Sequence, residues 1–421
     1  MKEIISLILG LVLTACSVTP PLEEPVPKEI RDEGIANPQK YSVSSPLTEE
    51  KLEEAFLAAL NKVDANLDTF KTKFPSEASK NNVYHPIDND RGWGQGFWTG
   101  ILWLAYEFDG DEKYRNVAEG QIPSYIKRIE EKIGVNHHDM GFLYMPSCVA
   151  AWQLTGNKPA RDAVIKAADH LITRYHETGE FIQAWGDVDD AKSRRLIIDC
   201  LMNIPILYWA SEETGDLKYE EIAFKHYKTT INNIIREDAS TFHTHYFNAK
   251  TGAPTMGVTK QGLSDSSCWS RGHAWGMYGI ALTQKYKKDN DGIDKFAKIT
   301  NYFLNRLPDD YVPYWDLVFT KSSEPRDSSA AAIAACGILE MYKYLPDSDP
   351  NKETYKNAAM HIVNSLIDNY STRNTPTSNG LLLHGVYSKP DNNGVDECNI
   401  WGDYFYMEAL MRLMRDWEIY W

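Results

Sequence analysis

Two aspartates stand where the surrounding residues are apolar. Asp199 is set in Arg194-Arg195-Leu196-Ile197-Ile198-Asp199-Cys200-Leu201-Met202-Asn203, and Asp139 in Asn136-His137-His138-Asp139-Met140-Gly141-Phe142. Burying an unpaired polar group costs on the order of 1–3 kcal/mol, so each needs a reason. A carboxyl among Ile, Cys, Leu and Met is desolvated. Its pKa rises and it can hold a proton near neutrality, as a general acid must. A structural pairing of Asp199 with Arg195 or Asn203 explains the same residue equally well. Asp139 can be read as a helix N-cap, although two adjacent histidines make capping an incomplete account. Two further strings carry chemistry. Lys260-Gln261-Gly262 precedes Trp269-Ser270-Arg271-Gly272-His273-Ala274-Trp275-Gly276. Arg271 and Trp275 lie four apart, on one helical face. A guanidinium beside an indole can bind a carboxylate while a sugar face stacks on the ring; burial of Trp275 as core is the competing explanation. His243 and His245, two apart in a segment that reads as part of a hairpin, would share one face. Zinc needs more ligands than these two supply. No GxSxG elbow, phosphate loop or dinucleotide fingerprint occurs. Two carboxylates, histidines, one placed arginine and 12 Trp fit chemistry on an acidic sugar, with no metal and no cofactor.

The elements that must hold these residues are helical. Six apolar, aromatic-rich segments begin near Phe97, Gly141, Arg195, Trp269, Ser328 and Ile400, and each ends in a polar turn. Five are followed by an amphipathic helix, as over 158–176, 218–237 and 355–370. Ala163, Ala167, Leu171 and Ile172 show the apolar stripe in the first of these. The sixth has no such successor, while an unpaired amphipathic stretch, 49–74, stands at the other end of the array. Pairing the two closes an all-α, six-hairpin toroid, an (α/α)6 barrel with nearly apolar helices inside. An open solenoid would need polar caps, and the last helix is full of aromatics. Short β-hairpins are expected in the loops, over 181–185 and 242–247.

Over the whole chain, 44 basic against 59 acidic residues give a net charge of −15, which argues against nucleic-acid binding. Residues 4–13 form an apolar run of signal-peptide length, too short to span a membrane. It ends in Leu13-Thr14-Ala15-Cys16, a string resembling a bacterial lipobox. Cys16 is therefore expected to carry a lipid, and the mature protein to sit in the cell envelope, on the membrane through that lipid alone. The expected organisation is a leader (1–16), a proline-rich tether (17–44) and one catalytic domain (45–421). Cys148, Cys200, Cys268, Cys336 and Cys398 are odd in number and set among apolar residues, so they read as free and buried.

Taken together, HHDMGF (137–142), LIIDCLMN (196–203), KQG (260–262), WSRGHAWGMYG (269–279) and DSSAAAIAACGILE (327–340) resemble glycoside hydrolase family 88, the unsaturated glucuronyl hydrolases. The resemblance runs from about residue 45 to the C-terminus, and that family's six-hairpin barrel agrees with the repeat count. It implies that Asp199 is the general acid and base and Asp139 the second essential carboxylate. It also implies that His243, Gln261, Arg271 and Trp275 hold the unsaturated uronate. Trp93 and Trp185 match stacking platforms, and His138 joins the substrate-binding set. The implied substrate is an oligosaccharide ending in an unsaturated uronate, glycosaminoglycan above all, supplied by an upstream polysaccharide lyase. His273 follows Gly272 where many relatives carry Gln. The sister group of unsaturated rhamnogalacturonyl hydrolases, acting on pectin fragments, shares barrel and chemistry; HHDMGF and WSRGHAWG favour the glucuronyl group. The reading from another class is a non-catalytic glycan-binding lipoprotein, against which both aspartates argue.

Overall fold

A computed structural model describes residues 29–42 and 45–421; the leader, Cys16 and half of the expected tether lie outside them, and the described half, 29–42, packs on the domain, where Glu33 pairs with Arg306 at 2.5 Å and the Tyr41 hydroxyl donates to the Leu304 carbonyl at 2.9 Å. The helices are α1 (Glu49–Asn66), α2 (Gln95–Asp109), α3 (Glu112–Glu130), α4 (Met140–Tyr144), α5 (Ala150–Thr155), α6 (Lys158–Ile172), α7 (Cys200–Asn203), α8 (Pro205–Thr214), α9 (Lys218–Ile234), α10 (Ser270–Tyr286), α11 (Asn290–Asn305), α12 (Ser328–Tyr342), α13 (Lys352–Ser365) and α14 (Ile400–Met414). They alternate between an inner and an outer ring. The inner ring is α2, the broken pair α4 and α5, the broken pair α7 and α8, then α10, α12 and α14. Each inner element packs on the outer helix that follows it, and α14 packs on α1 and α2, which closes the circle. The result is the expected (α/α)6 barrel.

Composition explains the two layers. Every residue of α12 from Ser328 to Met341 is buried, because neighbours cover it on all sides. In α6 only a stripe that includes Ala163, Ala167 and Leu171 is buried, so its other face stays polar. Four of the six outer helices start at a side-chain cap, α9 and α13 being the exceptions: Thr48 accepts from the Lys51 N–H at 3.2 Å, and Asn157 from that of Ala160 at 2.9 Å.

The inner helices touch backbone to backbone, and glycine permits it. A Cβ on Gly141 would lie 2.5 Å from the Asn203 Cα, and one on Gly337 2.7 Å from the Tyr278 Cα. Gly96 and Gly279 approach the backbone of Phe142 and Leu201 in the same way, while Gly100 is closed in by the Tyr404 ring and Pro146 and Gly402 by Ser329, so each of the six inner interfaces carries a glycine. At the far end of the bore, Trp421 is fully buried. It stacks on Phe405 at 5.8 Å and donates its indole N–H to Glu408 at 2.9 Å.

The short strands are β1 (Phe74–Pro75), β2 (Pro86–Ile87), β3 (Tyr175–His176), β4 (Phe181–Ile182), β5 (Arg195–Ile197), β6 (Thr244–Phe247), β7 (Pro254–Val258), β8 (Gly385–Ser388) and β9 (Asn393–Glu397). They form three hairpins and one three-stranded antiparallel sheet, β5-β6-β7. The sheet corrects one expectation. Arg195 opens a strand rather than the third inner helix, and Asp199 precedes α7 instead of lying inside a helix. Leu196-Ile197-Ile198 suits a buried strand as well as a helix, and the edge of β6 is there to pair with it. The second inner helix is broken by a π turn, Met145–Val149, where Pro146 supplies no N–H. Four outer helices stop short of their expected ends: α1 ends at Asn66, and Phe74 opens β1 instead of closing the helix. α6 ends at Ile172 because Tyr175–His176 pairs with Phe181–Ile182, α9 ends at Ile234, and α13 passes into a π turn over Leu366–Tyr370. The five cysteines are free and buried.

Candidate active site

A cavity of about 330 Å³ opens at the end of the ring where the inner helices begin, and it reaches both aspartates. Helix N-termini present positive dipole ends there, which favours an anionic guest. Asp139 sits just before α4, yet its side chain makes no capping bond, so capping does not account for it. Its Oδ1 lies 3.3 Å from His138 Nε2 and accepts from Asn203 Nδ2 at 3.2 Å; its Oδ2 lies 3.1 Å from His137 Nδ1. Burial pushes the Asp139 pKa up, but the two imidazoles and the Asn203 amide more than offset this and hold it below the usual carboxylate range.

Asp199 is treated differently by its surroundings. Its Oδ1 has no hydrogen-bond partner. It makes no pair with Arg195, and Asn203 reaches only its backbone carbonyl, at 3.1 Å. Burial, and then the Asp139 charge, push its pKa up to about 7, while Arg271 pulls the other way. One carboxyl thus keeps its charge and the other keeps its proton near neutrality, the split expected of an acid with a charged neighbour.

The remaining residues complete a wall for a charged ring. Arg271 is buried and spans 4.4 Å to the Trp269 ring and 4.9 Å to the Trp401 ring. Its guanidinium pairs with Asp327 at 3.3 Å, donates to the Tyr387 carbonyl at 2.7 Å, and also donates to the Val386 carbonyl. Gln261 donates to the same Tyr387 carbonyl at 2.7 Å. His243 Nδ1 accepts the backbone N–H of Lys260 at 3.0 Å, which leaves the ring proton on Nε2. Burial, with the Arg271 charge adding, pushes the His243 pKa down to about 3, so the ring is a neutral donor. Trp275 satisfies both of its readings: it is fully buried against Phe142 and Phe405, and it lines the cavity. Trp93 stacks on Trp401 at 4.8 Å, and Trp185 stacks on His137 at 4.7 Å. Trp185 stays 36% exposed, at the mouth.

Two placements differ from expectation. His138 lies behind Asp139, is 1% exposed and does not line the cavity; it supports the carboxylate and is not a wall for substrate. Burial pushes its pKa down to about 4. His243 and His245 do not share a face. His243 precedes β6 and lines the cavity, while His245 within β6 pairs with Leu196, whose side chain points away. Arg195, Ile197, Thr244 and Tyr246 are the sheet residues that face inward. Sequence reasoning missed Asp327, the ion-pair partner of Arg271, although it heads the string DSSAAAIAACGILE. It also missed Tyr387, Ser388, Asp391 and Asn393 of the β8–β9 hairpin. The turn signal Pro390-Asp391-Asn392-Asn393-Gly394 marks a hairpin, but nothing local says that it folds over the cavity.

A closed (α/α)6 ring with a proton-bearing and a charged carboxyl in one sugar-sized cavity defines a glycoside hydrolase. Residues 63–414 match the model for Glycosyl Hydrolase Family 88, and the chain belongs to that family. It is 51% identical over 395 residues to the unsaturated chondroitin disaccharide hydrolase of Streptococcus agalactiae serotype III (strain NEM316), covering 94% of this chain and 99% of the relative. It is 40% identical to the unsaturated glucuronyl hydrolase of Bacillus sp. (strain GL1), covering 88% and 98%. The crystal structure of the unsaturated glucuronyl hydrolase from Streptococcus agalactiae superposes with a TM-score of 0.91 at 51% identity, covering 94% and 99%. A mutant of that enzyme complexed with dGlcA-GalNAc6S superposes at 0.84, with 48% identity and the same coverage.

Proposed function

We propose that this chain removes a 4,5-unsaturated uronic acid from the non-reducing end of lyase-generated glycosaminoglycan oligosaccharides. The observation that carries this reading is the pairing of Asp199, protonated up to about pH 7, with an ionised Asp139 in a cavity that also holds Arg271. The terminal residue of such a substrate is an enol ether. Asp199 gives its proton to C4, and positive charge develops on C5 and the ring oxygen, where the Asp139 anion stabilises it. Water adds at C5 and returns a proton to Asp199. The hemiketal opens, and the bond to the rest of the oligosaccharide breaks. One residue serves as acid and then as base. A retaining or inverting glycosidase would instead flank C1 with its two carboxylates. Arg271, Gln261 and the His243 Nε2–H are the donors for the uronate, Trp93 and Trp275 the ring platforms, and Trp185 the platform at the mouth. Arg195 and Lys260 line the same cavity and form no salt bridge among the described residues, which adds attraction for an anionic sugar.

The test is direct. The near-ultraviolet absorbance of the conjugated uronate disappears as the enzyme works, with no metal or nucleotide added. In heavy-oxygen water the label enters at C5; label at C1 overturns the mechanism. Lyase-made glycosaminoglycan disaccharides are turned over in preference to pectin-derived ones. We also propose that residues 1–16 are a leader, that Cys16 is lipidated, and that the chain following it tethers a single catalytic domain to the cell envelope. Cys16→Ser then moves the protein to the soluble fraction; unchanged fractionation overturns that part.

A further inference from the structure

Glu77 lies between β1 and β2 and does not line the cavity. Its carboxylate is nevertheless the hub of a network that reaches the wall. Oε1 accepts the backbone N–H of Trp93 at 2.8 Å, and Oε2 accepts the Tyr387 hydroxyl at 3.2 Å. The Tyr387 oxygen in turn accepts the Trp93 indole N–H at 3.0 Å. Two glycines let the chain wrap this carboxylate. Gly92 has φ +79°, and a Cβ there would lie 2.4 Å from Glu77 Oε1; one on Gly94 would lie 3.1 Å from Glu77 Cγ. The backbone carbonyl of Glu77 also accepts from Ile400, the first residue of α14, at 3.1 Å. Trp93 and Tyr387 both line the cavity, and both meet the Trp401 ring, at 4.8 and 5.2 Å.

The Tyr387 hydroxyl has one proton, and it goes to Glu77. The two donors meet different oxygens of residue 77, so both ends of its side chain must accept where they stand. A glutamine offers one oxygen only, and an aspartate is too short to reach both donors. Apolar packing does not explain the residue, because a carboxylate is the costliest group to enclose there.

We propose that Glu77 is a positioning residue for this reaction: it touches no substrate, and it holds Trp93 and Tyr387 together as one wall against the sugar. The inference rests on the proposed reaction. Wild-type loss of the unsaturated chromophore reports on that reaction, while the ratio of variant to wild-type KM reports on Glu77, so the two fail separately. Glu77→Gln raises KM about tenfold and changes kcat less than about threefold, because the wall is displaced and the proton donor is not. The alkaline limb of kcat stays where the wild type has it. Tyr387→Phe raises KM to a similar extent, and the double variant adds little to either single one, since both cut the same link. A folded Glu77→Gln with wild-type KM overturns the proposal, and so do KM effects that multiply in the double variant. Should Glu77→Gln not fold, Glu77→Asp keeps the charge and loses the reach: a raised KM supports the proposal, and a wild-type KM overturns it.

Discussion

Asp199 and Asp139 are chemically identical side chains that the fold sets to opposite states. The contrast is one of partners: Asp139 has three polar neighbours, whereas Asp199 Oδ1 has none. Asp199→Asn keeps the shape and removes the proton; turnover falls by about three decades or more, while calorimetry still detects substrate. Stability moves the other way. The folded-state pKa of about 7 lies above the ordinary value of about 3.9, so the unfolded chain gives up its proton first as pH rises. The stability contributed by this group is complete below about pH 4 and is lost as pH climbs through 7. Asp199→Asn therefore melts higher than the wild type at pH 8, by up to about 4 kcal/mol in stability, and equally at pH 4. Equal melting temperatures at pH 8 would show that the group is not strained. Asp139→Asn removes the neighbouring charge; turnover is crippled, and the alkaline limb of the residual rate moves below the wild-type position near pH 7. An unmoved limb in the pH–rate profile would mean that burial alone sets the acid.

Asn203 joins two elements of the inner ring. Its amide Nδ2 donates to Asp139 Oδ1 and to the Asp199 carbonyl, and its Oδ1 accepts the Phe142 N–H at 3.0 Å. The close approach of Gly141 to Asn203 sets the distance over which this works. Gly141→Ala puts a methyl into backbone and costs about 1–3 kcal/mol. A melting curve shows the loss, and the pH–rate profile shows the Asp199 pKa falling as α4 and α7 part. Much of this architecture was legible in the residues. The contrast between helices apolar all round and helices apolar on one stripe is a record of burial, and it located both rings. The strand β5 was not legible, because Leu196-Ile197-Ile198 has no period that separates strand from helix. Asp139 and Asp199 stood out as polar residues in apolar company. Glu77, in Pro75-Ser76-Glu77-Ala78, and Asp391 stand in polar surroundings, so only the folded ring reveals what they face.

The molecule is a circle made from a line, and the circle has one seam, where α14 meets α1 and α2. Asp139 and Asp199 come from the second and third hairpins, far from that seam. The wall opposite them straddles it: Tyr387 reaches Glu77 across 310 residues of chain. Contacts between such distant segments form last, because loop closure must be met before they stabilise anything. In refolding from denaturant, helical circular dichroism therefore returns before hydrolytic activity does, and the lag shortens when the seam is strengthened. Simultaneous recovery of the two signals would show that the ring closes in one step. The order of assembly is in this way built into the cavity: a chain whose ring is still open already carries both aspartates, but lacks the part of the wall that Trp93 and Tyr387 form across the seam.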